Sequence, residues 1–243
     1  ILFLGTLFLA DLVFSLVLAF AGADFSSLDP YLYSALQELV GVLVTVWILK
    51  RTGRAGLLRR RGSGFFNGLL VGMYPLVLIG YSFFGTMAFR QPDDTPLLPL
   101  PRILTFLLSM MLVGVAEEFI FRGVVAETLL EHYGLSRAGI WKACVLSGVL
   151  FGAGHLTNLL GSEPFGVLMQ CTGNIWVTVF LHGMMDISSM IIGGLYGTVT
   201  MAESVSGYDA SMLFSVALYL LPMAFLLRKK KLQEVQLYWG GVV

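Results

Sequence analysis

The stretch that decides the fold runs from residue 103 to residue 126 and reads ILTFLLSMMLVGVAEEFIFRGVVA. An α-helix needs about 20 mostly apolar residues to cross the hydrocarbon core of a bilayer, and this stretch is long enough. The charged residues near its end, Glu117, Glu118 and Arg122, would lie at a depth where ionisable groups are costly and usually functional. The stretch therefore predicts a membrane span with polar chemistry inside it.

The composition of the whole chain indicates the same environment. Of its 243 residues, 57% are hydrophobic and 12% are charged, and the mean hydropathy is +0.83. A soluble domain carries about a quarter charged residues and a disordered chain is poor in apolar residues, so both classes are excluded. Basic and acidic residues both number 15, so no net positive charge favours a nucleic-acid partner. With only Cys144 and Cys171, the sequence argues against a disulfide scaffold and a cysteine-rich metal site.

Further apolar segments predict an all-α, polytopic bundle of about seven to eight transmembrane helices. One more apolar stretch, 164–202, is harder to divide into helices. The segments that are long enough to cross a bilayer are, in order, 1–22, 31–49, 65–89, 103–126, 139–160 and 211–227.

Basic residues orient this predicted bundle. Lysine and arginine crowd into residues 50–61 and again into residues 228–231. Cytoplasmic loops carry an excess of these residues, so both regions are predicted to face the cytoplasm. The C-terminal group is also suited to contact anionic lipid. We therefore expect an integral protein of a prokaryotic plasma membrane, with its basic loops and its C-terminus in the cytoplasm.

The number of crossings produces a conflict in the second half of the chain. The predicted span 139–160 ends outside and the last span runs inward, so the chain between them has to cross outward. If 172–197 is that outward span, the chain must first recross the membrane from Gly161 to Thr172. About 11 residues of helix extend roughly 16 Å, against about 30 Å of hydrocarbon. We expect either that a helix is missing between 161 and 172 or that this segment is re-entrant.

The first candidate functional residues are the three charged ones in the 103–126 stretch. Glu118 and Arg122 are four positions apart, on one helical face and in the order that favours an ion pair. Glu117 points about 100° away and has no such local partner. A carboxylate in apolar surroundings suits general acid or base work, so we assign chemistry to Glu117 and support to Glu118 and Arg122. The alternative is a structural ion-pair network that joins helices.

Two histidines lie in other apolar segments. His155 follows Phe151-Gly-Ala-Gly, where the glycines allow helices to approach closely. His182 and Asp186 are four positions apart on one helical face, so their imidazole and carboxylate can converge on one point. The alternative for each histidine is a purely structural hydrogen bond between helices.

Two reactions fit these residues if their helices pack around a shared wet pocket. In the first, a Glu–His pair activates water for amide hydrolysis, with His182 and Asp186 near the developing oxyanion. Asp186 donates a hydrogen bond there only if it is protonated; ionised, it can only orient His182. In the second, two histidines and a glutamate hold zinc, which lowers the pKa of a bound water. The His-Glu-x-x-His zinc motif is absent from the sequence, which disfavours the second reaction.

The order of these motifs resembles that of the CPBP family. This family comprises the CAAX prenyl proteases and the bacteriocin-processing enzymes, which are also called glutamic intramembrane proteases. The resemblance covers about residues 102–197 and includes the stretch Thr172-Gly-Asn-Ile-Trp176. Its motifs are Glu-Glu-x-x-x-Arg at 117–122, Phe-x-x-x-His at 151–155 and His-x-x-x-Asp at 182–186.

The resemblance implies a membrane protease that cuts peptide bonds without a metal or other cofactor. By the family pattern, Glu117 and His155 activate the water, and His182 and Asp186 form the oxyanion-stabilising pair. The other motif residues, Glu118 and Arg122, have supporting roles.

The resemblance also implies a division of the chain and a class of partner. Variable transmembrane helices occupy 1–90, the CPBP-like core 102–197, and a last span with a basic tail 198–243. The implied partner is a membrane-bound or prenylated peptide or protein, not a nucleic acid.

One departure from the family pattern keeps a second function open. The family usually has a further helix between its second and third motifs, whereas here 26 residues separate His155 from His182. A catalytically inactive scaffold, immunity factor or regulator in the membrane is therefore the alternative function. A transporter would need repeated broken helices, and the sequence shows no internal repeat.

Overall fold

The computed structural model describes residues 2–22, 28–59, 62–154, 171–198 and 228–239. Every regular element within these ranges is helical, which confirms the all-α prediction. A 3₁₀ turn covers Ala55–Leu58, and a π-helix, Phe119–Ala126, joins the fifth helix to the sixth. The α-helices are α1 (Leu2–Ala21), α2 (Pro30–Arg51), α3 (Phe65–Val71), α4 (Met73–Arg90), α5 (Leu100–Glu118), α6 (Glu127–Tyr133), α7 (Arg137–Gly154), α8 (Ile175–Tyr196) and α9 (Lys229–Trp239).

Three helical rods in the described ranges are long and apolar enough to cross a membrane. They are α2, the continuous 34-residue rod Leu100–Tyr133, and α8, and the α3–α4 pair makes a fourth if it counts as one bent span. Helices thus lie where spans 31–49, 103–126 and 172–197 were expected.

The predicted total of seven to eight spans is not confirmed. Helices α1 and α7 lie at the predicted spans 1–22 and 139–160, but neither counts as a full crossing within the described residues. The predicted span 211–227 and the suspected crossing at 161–170 lie outside the described residues.

The predicted span 65–89 is not one straight helix, because α3 and α4 meet at 78°. Pro75 lies in the first turn of α4 and has no N–H to donate to Val71, the last residue of α3. Proline inside a helix also clashes with the preceding turn, so the rod breaks between the two helices. The apolar pattern alone could not show this break.

The helices around the candidate site pack in the order α2, α5, α8, α4. Helices α5 and α8 cross at Gly114 and Gly183, where a Cβ built on Gly114 would lie 2.8 Å from the backbone nitrogen of Gly183. The two backbones therefore approach closely at these glycines, as small residues allow in membrane helices. The crossing lies one helical turn before Glu118 and next to His182, so it brings the predicted motif residues together.

Ion pairs join the helices at both ends of the bundle. At the end that holds the 3₁₀ turn, Arg54 contacts Glu131 at 2.6 Å. At the opposite end, Asp29 accepts a hydrogen bond from the backbone N–H of Tyr31 at 3.0 Å, which caps α2. Its other oxygen accepts from Nε of Arg102 on α5 at 2.8 Å.

The basic residues near the C-terminus belong to a packed helix, α9. This helix buries Val235 and Trp239 in the same apolar cluster as Leu57. The amide of Gln236 donates to the carbonyl of Leu135 at 3.2 Å. The described part of the predicted tail thus packs against the end of the bundle that carries the 3₁₀ turn; its cytoplasmic location remains a prediction.

Candidate functional site

Glu117 and Glu118 end α5, and the chain then widens into the eight-residue π-helix. π-Helical segments are rare and often occur at functional sites. All eight residues of this one are buried. The carbonyl of Phe121 accepts a hydrogen bond from the Ser147 hydroxyl at 3.1 Å, so α7 fixes the widened segment beside the two glutamates.

His182 extends from α8 to a position between the two glutamates. Its Nδ1 lies 2.9 Å from Oε1 of Glu118, and its Nε2 lies 3.2 Å from Oε2 of Glu117. The residue is buried. An imidazole with a proton on each nitrogen satisfies both carboxylates at once, so the geometry favours the positively charged ring.

Glu118 also pairs with Arg122, one turn along the same rod. Nε of Arg122 lies 3.2 Å from Oε2 of Glu118, and the two side chains are only 1% and 0% exposed. Burial of two opposite charges is tolerable when each lies beside the other, as in this ion pair. The ring of Phe151 lies 5.8 Å from the guanidinium of Arg122 and 5.9 Å from the imidazole of His182, and it forms an apolar wall on this side.

Asp186 lies one turn beyond His182 on α8. Its Oδ2 is 3.8 Å from Nε2 of His182, which is farther than the carboxylate of Glu117. The side chains of Glu117 and Asp186 are 16% and 20% exposed, in contrast to the fully buried Glu118. The cluster is thus closed at Glu118, whereas Glu117 and Asp186 are partly exposed.

The structure brings the predicted residues of α5, the π-helix and α8 into one cluster. These residues are Glu117, Glu118, Arg122, His182 and Asp186. His155 lies outside the described residues. Its partnership with Glu117 and the zinc alternative, which needs two imidazoles, both remain predictions.

The contacts within the cluster go beyond those that the sequence indicated. The sequence offered Glu117 no partner one helical turn away, and the partner His182 comes from α8 instead. Glu118, which was expected to act through Arg122, contacts His182 directly as well. No spacing within either segment could have shown the bond between Glu118 and His182, because the two residues lie on different helices.

Comparison with known proteins identifies the segment that holds this cluster. Residues 99–188 match a family model described as type II CAAX prenyl endopeptidase Rce1-like. This segment is therefore similar to Rce1-like domains. The match confirms the resemblance to the CPBP family. No curated protein and no solved structure matches the chain.

The segment that matches the Rce1-like model gives the cluster a functional setting. It contains both glutamates, the π-helix, and α8 through Asp186. Together with the membrane-capable helices, the match indicates an integral membrane protein and a CAAX-type intramembrane protease.

Proposed function

We propose that this protein is a metal-independent, glutamic-type endopeptidase that hydrolyses a peptide bond of a membrane-associated or prenylated peptide. The observation that carries the proposal is the buried His182 between the carboxylates of Glu117 and Glu118. The Rce1-like match, which covers the same residues, supports a protease. Glu117 and Asp186 are partly exposed, which supports entry of a peptide and a water on their side of the cluster.

Glu117 is the general base of the proposed reaction. It removes a proton from a water whose oxygen bonds to the carbonyl carbon of the scissile peptide bond. The carbonyl electron pair moves to its oxygen and forms a tetrahedral oxyanion. As the C–N bond breaks, the proton passes from Glu117 to the leaving nitrogen, which restores the carboxylate. By the family pattern, His155 assists Glu117 in holding the water.

His182 supplies the charge that stabilises the oxyanion. Glu118 accepts a hydrogen bond from the N–H at Nδ1 and keeps the ring oriented, while Arg122 balances the charge of Glu118. When water and substrate separate His182 from Glu117, the N–H at Nε2 is free to donate to the oxyanion. A preorganised donor of this kind contributes about 10²–10³ in rate.

Asp186 acts on His182 in this scheme. At 3.8 Å from Nε2, its carboxylate favours the charged imidazole and helps to orient it. An ionised carboxylate has no proton to donate, so the oxyanion depends chiefly on His182.

Substitution of the proposed base tests the reaction directly. We expect Glu117→Gln to reduce cleavage by at least about 100-fold, since general-base catalysis contributes roughly 10²–10⁴ in rate. Glu131→Gln is the matched control, because Glu131 lies on the same rod but pairs with Arg54 at the end of the bundle. Purified protein in nanodiscs is incubated in ¹⁸O-labelled water with a prenylated CAAX peptide or with an unprenylated peptide of the bacteriocin-leader type. The products are then measured by mass spectrometry.

The outcomes separate the competing functions. One ¹⁸O atom in the new carboxyl group and loss of cleavage only in Glu117→Gln support the proposal, whereas full cleavage by that variant contradicts it. Cleavage that is lost with a chelator and restored by zinc favours the metal reaction. Cellular function that survives Glu117→Ala combined with His155→Ala favours the non-catalytic alternative.

A further inference from the structure

The loop after α2 and the beginning of α8 are joined by a set of hydrogen bonds, which we name the α8 clasp. The backbone N–H and the hydroxyl of Ser63 both donate to the carbonyl of Thr172, each at 3.0 Å. In return, Nδ2 of Asn174 donates to the carbonyl of Ser63 at 3.2 Å. The indole N–H of Trp176 donates to the carbonyl of Leu58 at 2.9 Å. The clasp therefore holds the first turn of α8 from one side.

Asn174 has two separable roles in the clasp. Its Oδ1 accepts the backbone N–H of Trp176 at 3.1 Å, which caps α8 in the ordinary way. Its Nδ2 donates across to Ser63, which a cap does not require. The side chain is buried, so each bond matters for its polar atoms. The second bond makes Asn174 a fixed point between α8 and a loop more than a hundred residues earlier.

His182 lies eight residues beyond this fixed point, or about 12 Å and two turns along a rigid helix. The next anchor of α8 on the far side is the N–H of Leu98, which donates to the carbonyl of Leu195 at 2.8 Å, thirteen residues from His182. Between them, Gly183 packs against Gly114 and against the side chain of Met111, which holds the helices together by van der Waals contact and not by a directional bond. The clasp is thus the nearer of the two anchors to His182.

We infer that the α8 clasp sets the axial position of His182 and that Asn174 is a positioning residue for the site. The effect of Asn174 on catalysis rests on the proposed function. Its effect on the position of the His182 ring does not. The contacts of His182 with its two glutamates span 2.9 Å and 3.2 Å, so a shift of α8 by about 1 Å breaks at least one of them. Misplacement on this scale costs an enzyme about 10²-fold in rate.

Asn174→Ser separates positioning from capping. Serine caps a helix about as well as asparagine and is neutral, but its hydroxyl is too short to replace the amide that donates to Ser63. Trp176→Phe is a second variant, which removes the indole N–H but retains an aromatic ring against Phe119. Both changes remove a clasp bond without placing a charge in the protein.

A glycine pair supplies an independent test with a matched control. Gly62 has φ +70°, and a Cβ there would lie 2.6 Å from the carbonyl oxygen of Thr172. Gly53 has φ +73° in the same loop, and a Cβ there would meet nothing within 4 Å. Alanine therefore introduces a similar backbone strain at both positions, but only Gly62→Ala also presses on neighbours, on the clasp carbonyl at 2.6 Å and on the ring of Tyr238 at 3.2 Å.

Two measurements read the result. The chain has three histidines, so ¹⁵N-histidine NMR can assign His182 by its absence in His182→Ala. We expect Asn174→Ser, Trp176→Phe and Gly62→Ala to move the His182 ring signals towards a neutral imidazole. They should also lower kcat at least tenfold with KM within about twofold, and Gly53→Ala should change neither quantity.

The failures of the two proposals are distinguishable. If the wild type cleaves no peptide but the clasp variants shift the His182 signals, the proposed function fails and the positioning role stands. If the wild type cleaves and the clasp variants keep its His182 signals and its kcat, the positioning role is overturned. Equal losses in Gly62→Ala and Gly53→Ala would also overturn it, because backbone strain alone would then explain both. If Asn174→Ser does not fold, Trp176→Phe and the glycine pair decide the question in the same way.

Discussion

Ion pairs occur both in the interior of this protein and at its ends, and burial distinguishes the two sets. The interior pair, Glu118 with Arg122, is 0% and 1% exposed. In the end pairs, Glu131 is 41% exposed beside Arg54, and Arg102 is 54% exposed beside Asp29. The end pairs have the shorter distances between charged atoms, so distance does not predict which pair matters most for stability. Solvent screens exposed charges, whereas a buried charge depends entirely on its partners.

The largest expected effect comes from breaking the interior pair on one side. Arg122→Leu leaves Glu118 buried without its guanidinium, and we expect a loss of about 3–5 kcal/mol in the free energy of unfolding. The double variant Glu118→Leu with Arg122→Leu removes both charges and should recover most of that loss. It should still not cleave peptide, because His182 loses the acceptor at Nδ1. Unfolding in mixed micelles and peptide cleavage are the two measurements.

A double variant that is as unstable as Arg122→Leu would contradict this account of the interior pair. Recovery of both stability and cleavage would show that the cluster does not act on His182 and would weaken the proposed reaction.

An intermediate effect is expected at the crossing of α5 and α8. Gly114→Ala places a Cβ 2.8 Å from the backbone of Gly183, so the helices have to separate. We expect a loss of about 1–3 kcal/mol in unfolding free energy from overpacking. Cleavage should fall by about 100-fold as Glu117 moves away from His182.

Gly80→Ala on α4 is the control for the crossing, since a Cβ there meets nothing within 4 Å. It should retain wild-type cleavage and stability. A Gly114→Ala variant that behaves like Gly80→Ala would show that the crossing is not tight enough to position the site.

The smallest effect is expected at the end pairs. Arg102→Gln removes the partner of Asp29 but leaves the bond from Tyr31 N–H that caps α2. We expect the free energy of unfolding to change by less than about 1 kcal/mol and cleavage to remain at the wild-type level. When unfolding is measured in high salt, the difference in free energy from the wild type should be smaller still, because salt screens exposed charges. If Arg102→Gln lost as much free energy of unfolding as Arg122→Leu, burial would not explain why the ion pairs differ in their effect on stability.

The sequence predicted those parts of the fold that depend on one segment at a time. The lengths of the apolar runs are enough to place α2, the α5–α6 rod and α8, and spacing by four pairs Glu118 with Arg122. The bend after Val71 was missed because Pro75 lies inside an otherwise unbroken apolar run. The packed helix α9 was missed although Val235 and Trp239 are four positions apart on one apolar face, because the lysines dominate its composition.

The contacts that complete the candidate site depend on two segments and could not be read from either. His182 is shared between Glu117 and Glu118 because Gly114 and Gly183 let α5 and α8 cross at this height. If the small residues lay elsewhere, α5 and α8 would cross at another point along their length and His182 would have other partners. For the same reason, the bonds between Asn174 and Ser63 had no signal in the sequence around either residue.

The position of Arg122 has a consequence for biosynthesis. A charged residue at the centre of an isolated segment costs about 2.5–3.5 kcal/mol at insertion by the translocon. Glu118 and Arg122 meet within a single turn, so each has its counter-ion on the same helix and needs no later segment to supply it. We therefore expect this helix to enter the lipid with the pair already formed, and His182, more than sixty residues later, to join a prearranged acceptor; efficient insertion of residues 100–133 without α8 would test this.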